Sequence, residues 1–468
     1  MWLQGLFGVL LLAQSSPGMT AIAASGLEGR PAADAASPLQ ARVDAAAEGA
    51  TIEVEPGRYV GDLYLDRRVH LVGHGRPTVV GSGRGSAILV RATGVVIEGL
   101  DIDARLGGSL DRDSSGIHVA AAGVVIRDVR IDRGHFGIYL LEADDATIER
   151  TVIRGVPNRP PGEQGSGVHL FNSQRFRLIG NDIADMRDGI YIQSSGQGTV
   201  RNTAARRVRY GLHYMYADDN VFEDNRFEDS AAGAAIMYSK RLVFRRNRFV
   251  RNRGFASVGL LLKDCEDLVA EDNFIADNAR GLFLEGSDGN TFRRNVVAVS
   301  DAALVMFGSS RRNRFEGNVF VANLSPLDLV GRRTDTVFDG NYWSDADEPD
   351  LDGDGVRDRP FRLMNVFDHL RGNLTAADLF ARSPAARALA TAERTFPVLT
   401  PIDVQDRRPL VAIPALPDVP MAEGRDGDRS AVAGIGVSGA FCLSGIFLVA
   451  AHRRSRVPNA ERRVPVRP

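Results

Sequence analysis

The sequence predicts an all-β fold, a right-handed parallel β-helix, and three observations carry the prediction. Asparagine recurs at 181, 202, 225, 247, 273, 295, 318 and 341, with gaps of 21, 23, 22, 26, 22, 23 and 23 residues. Each of these closes a short apolar or aromatic run, as in Leu242-Val-Phe-Arg-Arg-Asn247. A Gly-aliphatic-x-aliphatic run repeats at Gly116, Gly137, Gly167, Gly189, Gly211, Gly259 and Gly281, mostly near the same spacing. Self-similarity at this period, with period-2 patterning inside each unit, is the mark of a solenoid whose coils bury their apolar faces on one another. Coils of three short strands would stack about 4.8 Å apart, aliphatic residues inward, with the asparagines at one bend bonded along the stack.

The elements follow in order. Trp2 to Ala13 is apolar and leads to Ala21-Ile22-Ala23, a small-residue cleavage pattern, so residues 1–23 read as a secretory signal. The solenoid domain is expected over 24–395. Leu39 to Ala47 reads as a short helix before the first strand, Thr51 to Glu55, where the open end of the stack needs a cap. The regular pattern ends near Asn341-Tyr-Trp-Ser-Asp345. Residues 370–395 look helical. The Pro-rich stretch 396–430 suits a strap along the body or a linker. Residues 431–451 carry no charge and precede His452, Arg453, Arg454 and Arg456, which predicts a transmembrane helix with a basic cytoplasmic tail, 452–468.

Composition narrows the function. With 57 basic and 59 acidic residues among 468 there is no basic excess to hold nucleic acid. Two cysteines, Cys265 and Cys442, supply no disulfide framework. Gly73-His74-Gly75 resembles a fragment of β-helical polygalacturonases, yet the chain lacks that family's acidic partners, so a turn is expected there and no catalytic residues are assigned.

Superposing the coils places His118, Tyr139, His169, Tyr191 and His213 in one outward column. A second column, two residues on, holds Phe171, Gln193, Met215, Met237, Lys263 and Glu285. His213 and Met215 share a face, with Met237 one coil beyond Met215. An imidazole and two thioethers form a soft donor set suited to Cu(I) and poorly suited to Mg or Ca. The same methionines also fit a packed face covered by the strap or a partner, and the residues alone leave both readings open. Asp350, Asp352, Asp354 and Asp358 alternate with glycine like the opening of a calcium loop, without the Glu that closes an EF-hand, and predict a structural calcium site. Outward Tyr139 and Tyr191 leave a carbohydrate-binding or carbohydrate-active surface as the alternative.

Three stretches resemble the NosD family, periplasmic maturation proteins of nitrous oxide reductase: Arg209-Tyr-Gly-Leu-His-Tyr-Met-Tyr-Ala-Asp-Asp-Asn220, Gly259-Leu-Leu-Leu-Lys-Asp-Cys265 and Asn341-Tyr-Trp-Ser-Asp345. The resemblance runs from about Leu39 to about Pro409. It implies a non-catalytic periplasmic accessory protein on the outer face of an ABC-type ATPase/permease complex. Such a protein works with a copper-chaperone lipoprotein to deliver copper, and sulfur in some readings, to the copper–sulfide cluster of nitrous oxide reductase. The expected location is the periplasm, tethered to the inner membrane by the C-terminal helix.

Overall fold

Each coil gives one short strand to each of three stacks, and the stacks are the walls of a parallel β-solenoid. The computed structural model describes residues 37–105, 114–254, 257–331, 334–364 and 404–415, together with Ser383 and Ala388. Among the described residues the three sheets contain 15, 13 and 12 strands, in coil order except at the C-terminal end of the first, where Gln405–Asp406 stands between Val337–Asp339 and Phe361–Arg362. Two walls are built of three-residue strands such as Val221–Glu223 and Arg226–Glu228, the third mainly of six-residue strands such as Tyr210–Met215. Coil pairs with coil in parallel, with no slippage between the residues the repeat aligns. The expected signal peptide, membrane helix and basic tail lie outside the described residues, as does the 370–395 helix apart from Ser383 and Ala388. Among the described residues no helix is long and apolar enough to cross a membrane.

The three-residue strand is the shortest that presents one inward side chain, and that side chain makes the core. Phe222, Phe227, Phe244 and Phe249 are fully buried, with Phe222 stacked on Phe244 at 4.6 Å and Phe292 on Phe315 at 4.5 Å. Turning the chain between such strands requires one residue per corner in the left-handed region, which costs a non-glycine residue about 1–2 kcal/mol. Asp and Arg occupy these corners coil after coil, as at Asp224 (φ 58), Arg246 (φ 54), Asp229 (φ 51) and Arg251 (φ 58). There they clasp one another: Arg246 Nε lies 2.7 Å from Asp224 and Arg251 Nε 2.7 Å from Asp229, each through a two-pronged contact. Exposed pairs contribute little singly, but repeated at successive coils they specify the register.

The bend asparagines form the expected ladder. Asn225, Asn247, Asn273, Asn295, Asn318 and Asn341 donate side chain to side chain up the stack at 2.8–3.0 Å. Each also donates to, or accepts from, backbone, as in Asn273 Nδ2 to the Phe244 carbonyl. Asn202 departs from the expectation. It is an exposed corner residue at φ 51, and Thr203 holds the ladder position instead, its amide donating to Asn225. The gaps of 21 and 23 on either side of Asn202 reflect this one-residue offset from an even 22.

A second ladder, Ser173, Ser195, Ser239, Cys265, Ser287 and Ser310, lines another bend. The repeated glycines stack because the next coil's carbonyl occupies the place of a side chain: a Cβ on Gly189 would lie 2.5 Å from the Gly211 oxygen.

Both ends are closed. Helix Pro38–Ala45, capped by Ser37, buries Leu39 and Val43, and its Gln40 accepts from the Tyr64 amide at 2.7 Å. At the other end the described part of the Pro-rich segment docks rather than spaces. Gln405–Asp406 pairs with Val337–Asp339 and Phe361–Arg362. Buried Asp406 terminates the asparagine ladder, accepting from the Asn341 side chain at 2.8 Å and the Trp343 indole at 3.0 Å.

Candidate functional site

The long-strand wall carries the predicted columns. Tyr139 pairs with His118 and His169, His169 with Tyr191, and Tyr191 with His213. Gln193 pairs with Met215, Met215 with Met237, and Met237 with Lys263. Within Tyr210–Met215, Leu212 and Tyr214 point inward and are fully buried, so His213 and Met215 face out together. The structure therefore brings His213, Met215 and Met237 onto two adjacent strands of one face. That face is largely enclosed: Met237 is only 4 % exposed and the His213 side chain 13 %.

The outward rings form a column. His118, Tyr139, His169 and Tyr191 stack with centroids 5.0, 4.5 and 4.4 Å apart, and His213 meets Tyr191 edge-on at 4.5 Å. Both faces of Tyr139 are thus covered by imidazoles, and Tyr191 lies between His169 and His213. Neither offers the open ring face on which a sugar would stack, so the geometry argues against the carbohydrate platform expected of them. The exposed aromatics of this region are Tyr216 and Tyr238, 55 % and 37 % accessible, stacked at 5.0 Å and each following one of the methionines. Both take left-handed backbone, φ 51 and 54, strained for a bulky residue.

A buried ionic cluster underlies His213. Asp188, fully buried, lies on the strand before it and accepts both prongs of Arg209, at 2.9 and 2.7 Å. Arg187 Nε approaches the same carboxylate at 3.3 Å, and His213 Nδ1 lies 3.3 Å from it. Burial would raise the Asp188 carboxyl, but hydrogen bonds and charge from His213 and Arg209 outweigh it and hold the group well below the carboxylate range. Burial pushes the His213 imidazole down, and Asp188 only partly opposes it. His169 is pushed down to about 3, by burial first and then by the Arg187 charge, and its buried Nδ1 has no hydrogen-bond partner. Both rings are therefore neutral at neutral pH, the state a metal requires.

Tyr191 completes the surroundings: its hydroxyl donates to Gln193 at 2.8 Å and lies 3.7 Å from the Met215 sulfur. Thioether, thioether and neutral imidazole on an enclosed face are a donor set that fits a monovalent soft cation better than a hard one. Cys265 takes no part. It is fully buried in the serine ladder, its thiol donates to the Ile236 carbonyl, and burial pushes it up to about 12. The Asp188 cluster is the feature that sequence reasoning missed.

At the solenoid's end Asp350, Asp352 and Asp354 bring one carboxylate oxygen each within 4.8 Å of one another. Asp350 also accepts from the Gly353 and Gly355 amides, shaping the loop. Asp358 does not join them; its carboxylate accepts from the Leu351 amide at 2.7 Å. Gly73 ends the strand His70–Gly73, and the chain bends at His74 and Gly75, with Gly75 at φ 62 and His74 bonded to Glu53.

A family model for the periplasmic copper-binding protein (NosD) matches residues 150–348, the span that holds His169, Tyr191 and His213 of the ring column, the methionine pair and the asparagine ladder. Over that span the chain is similar to the NosD family. A probable ABC transporter binding protein NosD of Stutzerimonas stutzeri is 29 % identical over 76 % of this chain and 86 % of its own length. The namesake of Pseudomonas aeruginosa is 28 % identical over 77 % and 87 %. The family description is that of a periplasmic protein. Among solved structures, the A-module of an Azotobacter vinelandii mannuronan C-5 epimerase shares the fold at 15 % identity and a TM-score of 0.53, over 64 % of this chain and 93 % of the module.

Proposed function

We propose that this protein is a non-catalytic periplasmic assembly factor that accepts Cu(I) at His213, Met215 and Met237 for the copper–sulfide cluster of nitrous oxide reductase. One observation carries the reading: two register-paired thioethers and a neutral imidazole share one largely enclosed face, with a buried carboxylate behind the ring. Copper is cargo here, so the site has to release it as well as hold it. Three soft donors without an anionic ligand suit that, because a thiolate or carboxylate would bind more firmly and Cys265 is sequestered elsewhere.

The reading places the protein beside an ABC-type ATPase/permease complex, receiving copper from a chaperone lipoprotein and passing it to the reductase. The relatives' printed names support the transporter association. ATP-driven motion of the membrane partner would change how the solenoid fits donor and acceptor. Residues 431–451 would tether the protein to the inner membrane. Calcium at Asp350, Asp352 and Asp354 would brace the last coil, since three carboxylates so close repel without a counter-ion.

The test is a combined variant, His213→Ala, Met215→Ala, Met237→Ala, compared with wild type for Cu(I) affinity by chelator competition and for cluster content of the reductase matured in cells. Loss of both is expected. Unchanged affinity together with unchanged cluster loading overturns the site assignment.

A further inference from the structure

We infer that Asp188 is a positioning residue that fixes the His213 ring with its proton on Nδ1, so that Nε2 is the atom presented to a soft metal. The inference rests on the reading of His213 as a copper donor. It starts from the hydrogen-bond inventory. An ionised carboxylate only accepts, so the 3.3 Å contact from His213 Nδ1 to Asp188 requires a proton on Nδ1. Arg209 Nη2 also lies 3.5 Å from Nδ1 and would favour the opposite tautomer by donating to it. That nitrogen, however, is already committed to Asp188 at 2.7 Å, a shorter and charge-assisted bond. The carboxylate therefore decides the tautomer, and the remaining lone pair lies on Nε2, across the ring from Asp188.

The cluster is built to hold the carboxylate still. Asp188 sits at a strand position paired with Ser166 on one side and Tyr210 on the other. Both its oxygens are gripped by the Arg209 fork, and that guanidinium packs over the Tyr210 ring at 4.5 Å. Arg187 adds a second cation to the same oxygen that faces His213. Edge contacts from Tyr191 and Tyr210 leave the imidazole little room to rotate. His169, one ring further along the column, shows the contrast: its Nδ1 is buried with no partner, so nothing there selects a tautomer. A carboxylate fixing the far nitrogen of a ligand histidine is the general device by which proteins orient metal sites, and losing it costs about 10–100-fold in affinity.

The experiment uses the purified mature protein with 15N-histidine. Wild type is expected to show His213 with the proton on Nδ1, and Asp188→Asn a mixture of tautomers with Cu(I) affinity about 10–100-fold lower. Because Asp188→Asn leaves two guanidinium groups without their partner, Arg209→Lys serves as the second variant. It keeps the charge and loses the fork, and a smaller shift in both readouts is expected. A role confined to stability would lower the melting temperature and leave the tautomer unmoved. The inference is overturned if the tautomer persists in Asp188→Asn, or if it changes while copper affinity does not. Those outcomes are separable from failure of the site itself, in which His213→Ala retains wild-type affinity.

Discussion

At the scale of the residue, packing and ligation make different demands on the same side chain. Met237 is buried well enough to pass for core, so substitution has to separate packing from ligation. Met237→Leu conserves volume and should change stability by less than about 1.5 kcal/mol, while chelator competition should show Cu(I) affinity falling at least about tenfold, the effect of removing one soft donor. Equal affinity with equal stability would make Met237 packing alone. Cys265→Ser should change neither quantity appreciably, since serine holds the equivalent ladder positions at Ser239 and Ser287. His169 supplies a pH prediction. Its folded value, about 3, lies below the ordinary 6.5, so between these the unfolded chain takes up a proton that the fold refuses. Its contribution is complete above about pH 6.5 and is lost as pH falls toward 3. Urea unfolding at pH 7.5 and 4.5 should show a smaller difference for His169→Phe, which keeps the stacking, than for wild type.

At the scale of the element, the repeat made most of the site legible and the exceptions show where legibility stops. His213, Met215 and Met237 can be aligned from sequence because a fixed 22-residue coil makes register a matter of counting. Asn202 misleads by one residue, because asparagine also suits a left-handed corner, while Thr203 replaces the ladder amide without advertising it. Asp188 was invisible because a carboxylate before a glycine reads as a turn residue. The available signal was its column, where its register neighbours are Ser166 and Tyr210 and a buried charge demands a partner. The ladder itself predicts a cost. Asn273→Ala would strand the Asn247 amides and the Phe244 carbonyl. Denaturant unfolding should then register a loss of about 2–4 kcal/mol, more than the same change at exposed Asn202.

At the scale of the molecule, a solenoid is as stable as its ends allow, because each coil contacts only its neighbours. Asp406 gathers the last asparagine, the Trp343 indole and three backbone amides, and Asp406→Ala should fray the terminal coils first. Hydrogen exchange should show protection lost around 315–343 before it is lost around His213. The acidic loop lies at the same end. Calcium should raise the melting temperature and chelation lower it, and the triple exchange of Asp350, Asp352 and Asp354 for Asn should abolish the difference. No calcium effect on the wild type would remove that ion from the account.

The central claim is met most directly by X-ray absorption at the copper edge of the Cu(I)-loaded protein. One nitrogen and two sulfur scatterers are predicted for wild type, with one sulfur lost in Met237→Leu and the nitrogen lost in His213→Ala. A shell of nitrogen and oxygen alone, or a spectrum that both substitutions leave unchanged, would contradict it.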